Sequence, residues 1–255
     1  MIKKLLLFII VSILLVSCAN KKDILYYQDI QNNSQDQISY LSSNVQINDI
    51  LYIKVSAIIQ ESADPFNITN SSNGNGNVNI ESYKIQGYLV SQEGNIIFPL
   101  LGKINVVGKS TDEVQDLLAK RLIDFGYIKE PTVSVRIINS KVTVLGEVKQ
   151  PGTYAFDEQN ISLNQAIGYA GDLTINGVRK DVLLIREVNG VRTYIHLDLT
   201  SSNWFNSPYY YVKQNDIIIV NPNGPKIMAS GYLNSIGTTL GIVSFGITVY
   251  LLLKN

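Results

Sequence analysis

The chain has 255 residues, enough for two small domains. Its 21 basic and 21 acidic side chains cancel, which denies it the basic surface that nucleic-acid binding requires. A single cysteine, Cys18, and a single histidine, His196, exclude an intrachain disulfide, an ordinary His/Cys metal site and any Ser-His-Asp triad that does not use His196.

The chain opens with a short basic stretch, Met1 to Lys4. An apolar run from Leu5 to Val16 follows, too short to span a bilayer comfortably. It ends in Leu15-Val16-Ser17-Cys18, the pattern of a bacterial lipobox. The expectation is a signal peptide over 1–17 and a lipidated Cys18. Ala19 rather than an aspartate follows the cysteine, so an inner-membrane retention signal of the familiar kind is absent. Residues 18–44 are rich in Gln, Asn, Ser and Asp and read as a tether, within which Ile24 to Tyr27 can dock onto the body.

Val45 to Val55 is the first strand region. Phe66 to Asn79 is a polar, Asn/Gly/Ser-rich loop. The stretch Gly87 to Gly102 then reads as a hairpin. Tyr88 to Val90 leads in, a turn at Gln92 to Asn95 places Gly94 at positive φ, and Ile96 to Phe98 returns until Pro99 ends ladder pairing. Lys103 to Val107 is a further strand. Ser110 or Thr111 can cap a helix, with Glu113 as its capping-box acid and Val114, Leu117, Leu118, Leu122 and Ile123 on one face. Pro131 to Ile137 closes this unit.

A second unit begins at Val142. Gly146 to Val148, the Pro151-Gly152 turn and Thr153-Tyr154 form strand, turn and return strand. Ser162 caps a short helix that buries Leu163, Ala166, Ile167 and Ala170 and ends at Gly171. Two strands flank a turn at Asn189-Gly190, and a last strand runs from Ile217 to Pro222. His196 alternates on the same strand face as Asp198, a half-buried pair rather than an acid–base couple, since nothing nearby supplies a nucleophile. Gly74-Asn75-Gly76 is not followed by a helix and cannot cradle phosphate. No catalytic, cofactor or metal site is expected.

From Ala229 to Leu253 no side chain is charged, a length of roughly 37 Å as a helix and enough for a transmembrane span over 229–253. Asn234, Gly237, Gly241, Ser244 and Thr248 recur at spacings of three and four, forming one small, polar stripe. Such a stripe suits helix packing or a pore lining.

The order of hairpin, helix and Pro131-Thr132-Val133-Ser134-Val135 strand resembles the polysaccharide export domain of Wza-like outer-membrane lipoproteins. The stretch around Gly146 to Val148, Pro151 to Tyr154, Leu163 to Gly171 and Asp216 to Pro222 resembles an SLBB domain. Where family members carry Gly-Asp before a strand, this chain has Asn48-Asp49 and Asn215-Asp216. The resemblance implies an α+β chain: an export domain over 45–138, a β-grasp SLBB domain over 141–223 and a C-terminal transmembrane helix. It implies a non-enzymatic channel for capsular or extracellular polysaccharide, lipid-anchored in the outer membrane with its bulk in the periplasm. The implied partners are the polysaccharide chain, copies of itself in a ring homo-oligomer, outer-membrane lipid and an inner-membrane polysaccharide co-polymerase. The rival is a monomeric, membrane-anchored glycan-binding or glycan-hydrolysing lipoprotein.

Overall fold

A computed structural model describes residues 21–31, 35, 44–67, 86–188, 190–231 and 236–254. Cys18, Asn234 and most of the polar loop after Phe66 lie outside them.

The first unit is built on β1 (Ile50–Ser56), whose alternation buries Leu51, Ile53 and Val55. It pairs antiparallel with β2 (Tyr88–Leu89) on one side and with β5 (Thr132–Ile137) on the other. Helix α1 (Thr111–Asp124) packs against this sheet through Val114, Leu118 and Leu122, each worth about 1.5–3 kcal/mol when buried. Its capping box is made as expected: the Glu113 amide donates to Ser110 Oγ (3.1 Å) and the Ser110 amide to Glu113 Oε2 (2.7 Å).

Strands β3 (Asn95–Phe98) and β4 (Gly102–Asn105) form a separate antiparallel pair. Gly94 has φ +77°, and a Cβ there would lie 2.3 Å from Val107 Cγ1. The hairpin differs from the expected one. β2 is held on β1, where the Val90 amide donates to the Asp49 carbonyl and the Asn48 amide to the Val90 carbonyl. The Gly94 carbonyl instead accepts from Val106 and Val107, so β3 finds its partner in β4. β3 ends at Phe98, before Pro99, as expected.

The second unit is a five-stranded sheet with order β10-β9-β12-β6-β7. Its strands are β6 (Lys141–Gly146), β7 (Gly152–Ala155), β9 (Gly177–Val188), β10 (Val191–Leu197) and β12 (Ile217–Pro222). β12 and β6 run parallel; the other pairs are antiparallel. Short strands β8 (Ile161–Ser162) and β11 (Tyr211–Val212) pair beside helix α2 (Leu163–Tyr169), which has a second capping box from Ser162 and Gln165. A Cβ on Gly146 (φ +89°) would fall 2.1 Å from the Val220 carbonyl oxygen, so only glycine lets β6 approach β12 there. The mixed α/β architecture with two separate apolar cores agrees with the expected class.

Two Asn-Asp turns meet at the joint between the units. Asn48 and Asn215 both sit at positive φ, +69° and +64°. In each turn the aspartate amide donates to the carbonyl three residues back, and its carboxylate accepts that residue's amide at 2.8 Å. Asn139 links them. Its side chain accepts from Ile50 and donates to Asn48 O, while its carbonyl accepts from Gln214 Nε2. The turns differ in charge. Asp216 is buried against Arg186, whose Nε lies 3.0 and 3.1 Å from the two carboxylate oxygens and whose Nη2 lies 2.6 Å from Oδ2. Asp49 is equally buried, but its Oδ1 meets no donor.

The expected span over 229–253 is corrected. The chain is helical over α3 (Gly224–Ala229), capped by Asn223, and leaves the helix at Ser230. There the Ser230 amide and hydroxyl both return to the Ile227 carbonyl, with Gly231 behind them. Helix α4 (Ile236–Lys254) follows with 19 residues, about 28 Å. Among the described residues no helix is long and apolar enough to cross a membrane.

Two predictions follow from the turns. Asp216→Ala leaves the Arg186 guanidinium buried and unpaired, so urea unfolding is expected to show a loss of about 3–5 kcal/mol. Adding Arg186→Met is expected to recover part of it. Asp49 responds to pH. Burial pushes its carboxyl up to about 6 from 3.8, against the Gln46 amide that holds it charged. The folded state therefore binds the proton more tightly than the unfolded chain. Stability is expected to fall as pH rises from about 4 to 6, by up to about 3 kcal/mol, and then to level off. Asp49→Asn removes that slope, which unfolding midpoints at pH 4.5 and 7.5 will detect.

Candidate functional site

Both chain ends that the sequence directs toward a membrane attach to the second unit. Residues 21–29 form a strap across it. Lys21–Asp23 is a single 3-10 turn, and Asp23 pairs with Lys180 at 2.6 Å. Backbone bonds then fix the strap: the Tyr27 amide donates to Leu199 O (3.2 Å) and the Gln28 amide to Thr200 O (2.8 Å). Asp29 accepts from the Ser201 hydroxyl and the Ser202 amide, which hold its carboxyl below the usual range.

Two tyrosines carry the seat. Tyr26 OH donates to Asp172 Oδ1 at 2.5 Å, and its ring lies 5.2 Å from the Arg179 guanidinium carbon. Tyr27 OH donates to Asn164 Oδ1 at 2.5 Å, with its ring edge-on to Phe205 at 4.9 Å. Burial pushes both phenols up, Tyr26 with help from the Asp172 carboxylate and Tyr27 to about 12. Of the expected docking stretch Ile24 to Tyr27, Tyr26 and Tyr27 pack against the second unit, while Leu25 stays exposed.

The C-terminal exit is close by. Pro222 pairs with Gly177 at the start of β9, and the Asn223 amide donates to Asn176 O at 2.7 Å. The strap touches β9 two and three residues further on, at Arg179 and Lys180. The joint to the first unit lies at the other end of β12, at residues 214–216. Six residues of strand, about 20 Å, separate the two. The strap and the C-terminal helices therefore leave the SLBB-like unit at the end opposite the first unit.

Within α4, Gly237 and Gly241 are exposed, and a Cβ on Gly241 would meet nothing. Ser244 Oγ donates to Gly241 O (3.0 Å) and Thr248 Oγ1 to Ser244 O (2.9 Å), so these hydroxyls are satisfied inside their own helix. Leu240, Ile242, Phe245, Ile247, Leu251 and Leu252 are all exposed. The helix is apolar around its circumference, and such a helix is ordinarily covered by protein or lipid.

His196 does not pair with Asp198. Its Nδ1 lies 2.5 Å from Asp181 Oδ1 on the neighbouring strand, because β9 and β10 bring residues 15 apart together. Asp198 instead accepts from the amide and hydroxyl of Thr200 in a tight turn. Among the described residues no group of His, Cys, Asp and Glu could hold a metal ion.

Comparison with known proteins places a class on this architecture. Residues 42–138 match the family of polysaccharide biosynthesis/export proteins, and residues 141–196 match the SLBB domain. The chain thus carries a polysaccharide export domain followed directly by an SLBB domain, as in Wza-like export proteins. Two relatives are similar to it. Both bear the name EPS I polysaccharide export outer membrane protein EpsA. The protein from Ralstonia nicotianae is 36% identical over 106 residues, 40% of this chain and 27% of the relative. The one from Ralstonia solanacearum is 33% identical over 114 residues, 44% and 29% of the two chains. The chain thus spans under a third of the length of these relatives. The names of both relatives describe export, which points to the non-enzymatic transport component that was expected.

The strap makes a direct prediction. Tyr26→Phe with Tyr27→Phe removes two hydrogen bonds at roughly 0.5–1.5 kcal/mol each. Amide exchange at Tyr27 and Gln28 is expected to accelerate in the double variant while β1 stays protected. Unchanged exchange would place the strap's stability elsewhere.

Proposed function

We propose that this protein is an outer-membrane component of a polysaccharide export channel, moving capsular or extracellular polysaccharide from periplasm to cell surface without chemistry. The observation that carries the reading is the match of residues 42–138 to the export family with an SLBB domain immediately behind it. The relatives' names supply the outer membrane and the class of cargo. In this reading Cys18 carries the lipid anchor, and the strap holds that anchor against the SLBB domain. The domains run over 45–138 and 141–223, the export domain facing the periplasm. An inner-membrane polysaccharide co-polymerase delivers the chain to it.

The working form is a ring homo-oligomer. The exposed apolar surface of α4 supports it, since one copy leaves that surface uncovered. In the ring, α4 meets outer-membrane lipid and its own copies, with Gly237, Gly241, Ser244 and Thr248 toward the neighbouring helix.

Mass photometry of the detergent-extracted protein is expected to give an assembly of many copies. Single cysteines replacing Gly241 or Thr248 are expected to cross-link between subunits, while those replacing Leu240 or Ile247 do not. A protein that runs at its chain mass, with no cross-links from either set, would favour the monomeric glycan-binding lipoprotein instead.

A further inference from the structure

The cleft between the two units encloses about 460 Å³, within the roughly 300–1,000 Å³ of small-ligand sites. One wall is β5 at residues 135–137, with the first turn of α1 beside it. The other is the loop 156–160 that joins β7 to β8 in the SLBB domain. Its width is fixed by the joint: Gln214, which also lines it, accepts from the Lys141 amide at 2.7 Å and donates to Asn139 O at 2.8 Å. We propose that this cleft is a saccharide-binding site, and that it takes an uncharged segment of glycan.

Three features support this. The first is unused hydrogen-bonding capacity. Arg136, Gln159 and Asn160 line the cleft, and their side chains make no hydrogen bond or ion pair with another described residue. A guanidinium and two amides are planar groups that can each engage two neighbouring ring hydroxyls. The second is the mixed character of the wall. Phe156 and Val135 are buried side chains that still border the space, so an apolar surface lies beside the polar groups. A pyranose has this same division, with C–H faces and hydroxyl edges.

The third is charge. Asp112, Asp157 and Glu158 line the cleft against the single cation Arg136. Carboxylates in excess accept from sugar hydroxyls but repel phosphate, sulfate and uronate groups. The site therefore selects neutral or N-acetylated residues over acidic ones. Interdomain placement also suits the task, since ligand sites favour domain boundaries.

The ligand class rests on the export reading, but the test does not. Maltotriose, N,N′-diacetylchitobiose and trigalacturonate are titrated into the full chain in detergent, with saturation-transfer NMR and calorimetry as readouts. At least one neutral sugar is expected to bind, with trigalacturonate at least tenfold weaker. Arg136→Ala with Asn160→Ala is expected to weaken binding at least tenfold at an unchanged unfolding midpoint. Asn160→Ala alone provides the check should the double variant unfold. Absence of binding by both neutral sugars, equal binding by the variants, or a preference for trigalacturonate would overturn the site. Export is scored separately, as surface polymer in cells lacking the protein. Polymer lost on deletion without saccharide binding in vitro removes the site alone. Binding in vitro with undiminished polymer on deletion upholds the site and removes the export reading.

Discussion

The Arg186–Asp216 pair organises the SLBB domain. It joins the C-terminal end of β9 to the turn that launches β12, and Arg186 also donates to Pro208 O and Tyr211 O in the segment that leads back to that turn. One buried guanidinium therefore ties two strands and an irregular loop of the domain. Burial pushes the Asp216 carboxyl up, and the guanidinium and the Lys213 amide oppose it. A pair so placed contributes little net stability over an apolar substitute, but a wrong strand register would leave two charges buried apart. That penalty is a reason for β12 to occupy one position between β9 and β6.

The export domain repeats the turn without the cation. Asn48-Asp49 reproduces the positive φ and both bonds to Gln46, yet Asp49 Oδ1 is unmatched. The backbone geometry is thus a four-residue β-turn whose last residue, an aspartate, folds its carboxylate back onto the amide three residues earlier, and the arginine is an addition specific to the second domain. Family members that carry Gly-Asp at these places satisfy the same backbone requirement, because glycine and asparagine are the residues that tolerate a left-handed φ. The two turns also meet at the joint. They are bridged by Asn139, whose side-chain oxygen accepts from Ile50, whose side-chain amide donates to Asn48 O and whose backbone carbonyl accepts from Gln214.

Local chemistry was legible in the sequence, and partners at long range were not. Ser110-Glu113 and Ser162-Gln165 form capping boxes, and Gly94 and Gly171 take positive φ, because each is decided within four residues. The strand partner of β3 lies 4 to 10 residues on, and the acid beside His196 and the seats of Tyr26 and Tyr27 lie 15 to 146 residues away, pairings that no periodicity encodes. The break between α3 and α4 was hidden for another reason. An uncharged run reads as one span, whereas Ser230 and Gly231 end a helix through hydrogen bonds that hydropathy ignores. The interdomain cleft left no trace at all, since its walls come from residues 111–112, 135–137, 140, 156–160 and 214.

The bonding inside α4 bears on what its stripe can do in the proposed ring. Ser244 and Thr248 have given their protons to carbonyls of the preceding turn, so neither demands a water-filled lumen or a neighbour's acceptor. What the described stripe offers the outside is shape: two glycines one turn apart make a shallow face. In lipid, apolar side chains gain little by exchanging acyl chains for one another, and association comes instead from close backbone approach and dispersion. Gly237 and Gly241 allow that approach, while Leu240, Ile247 and Leu251 supply surface that lipid accepts. A pore lining would need polar atoms with free donors repeating along its length. Packing between neighbouring helices is therefore the role the stripe's chemistry favours in the proposed ring.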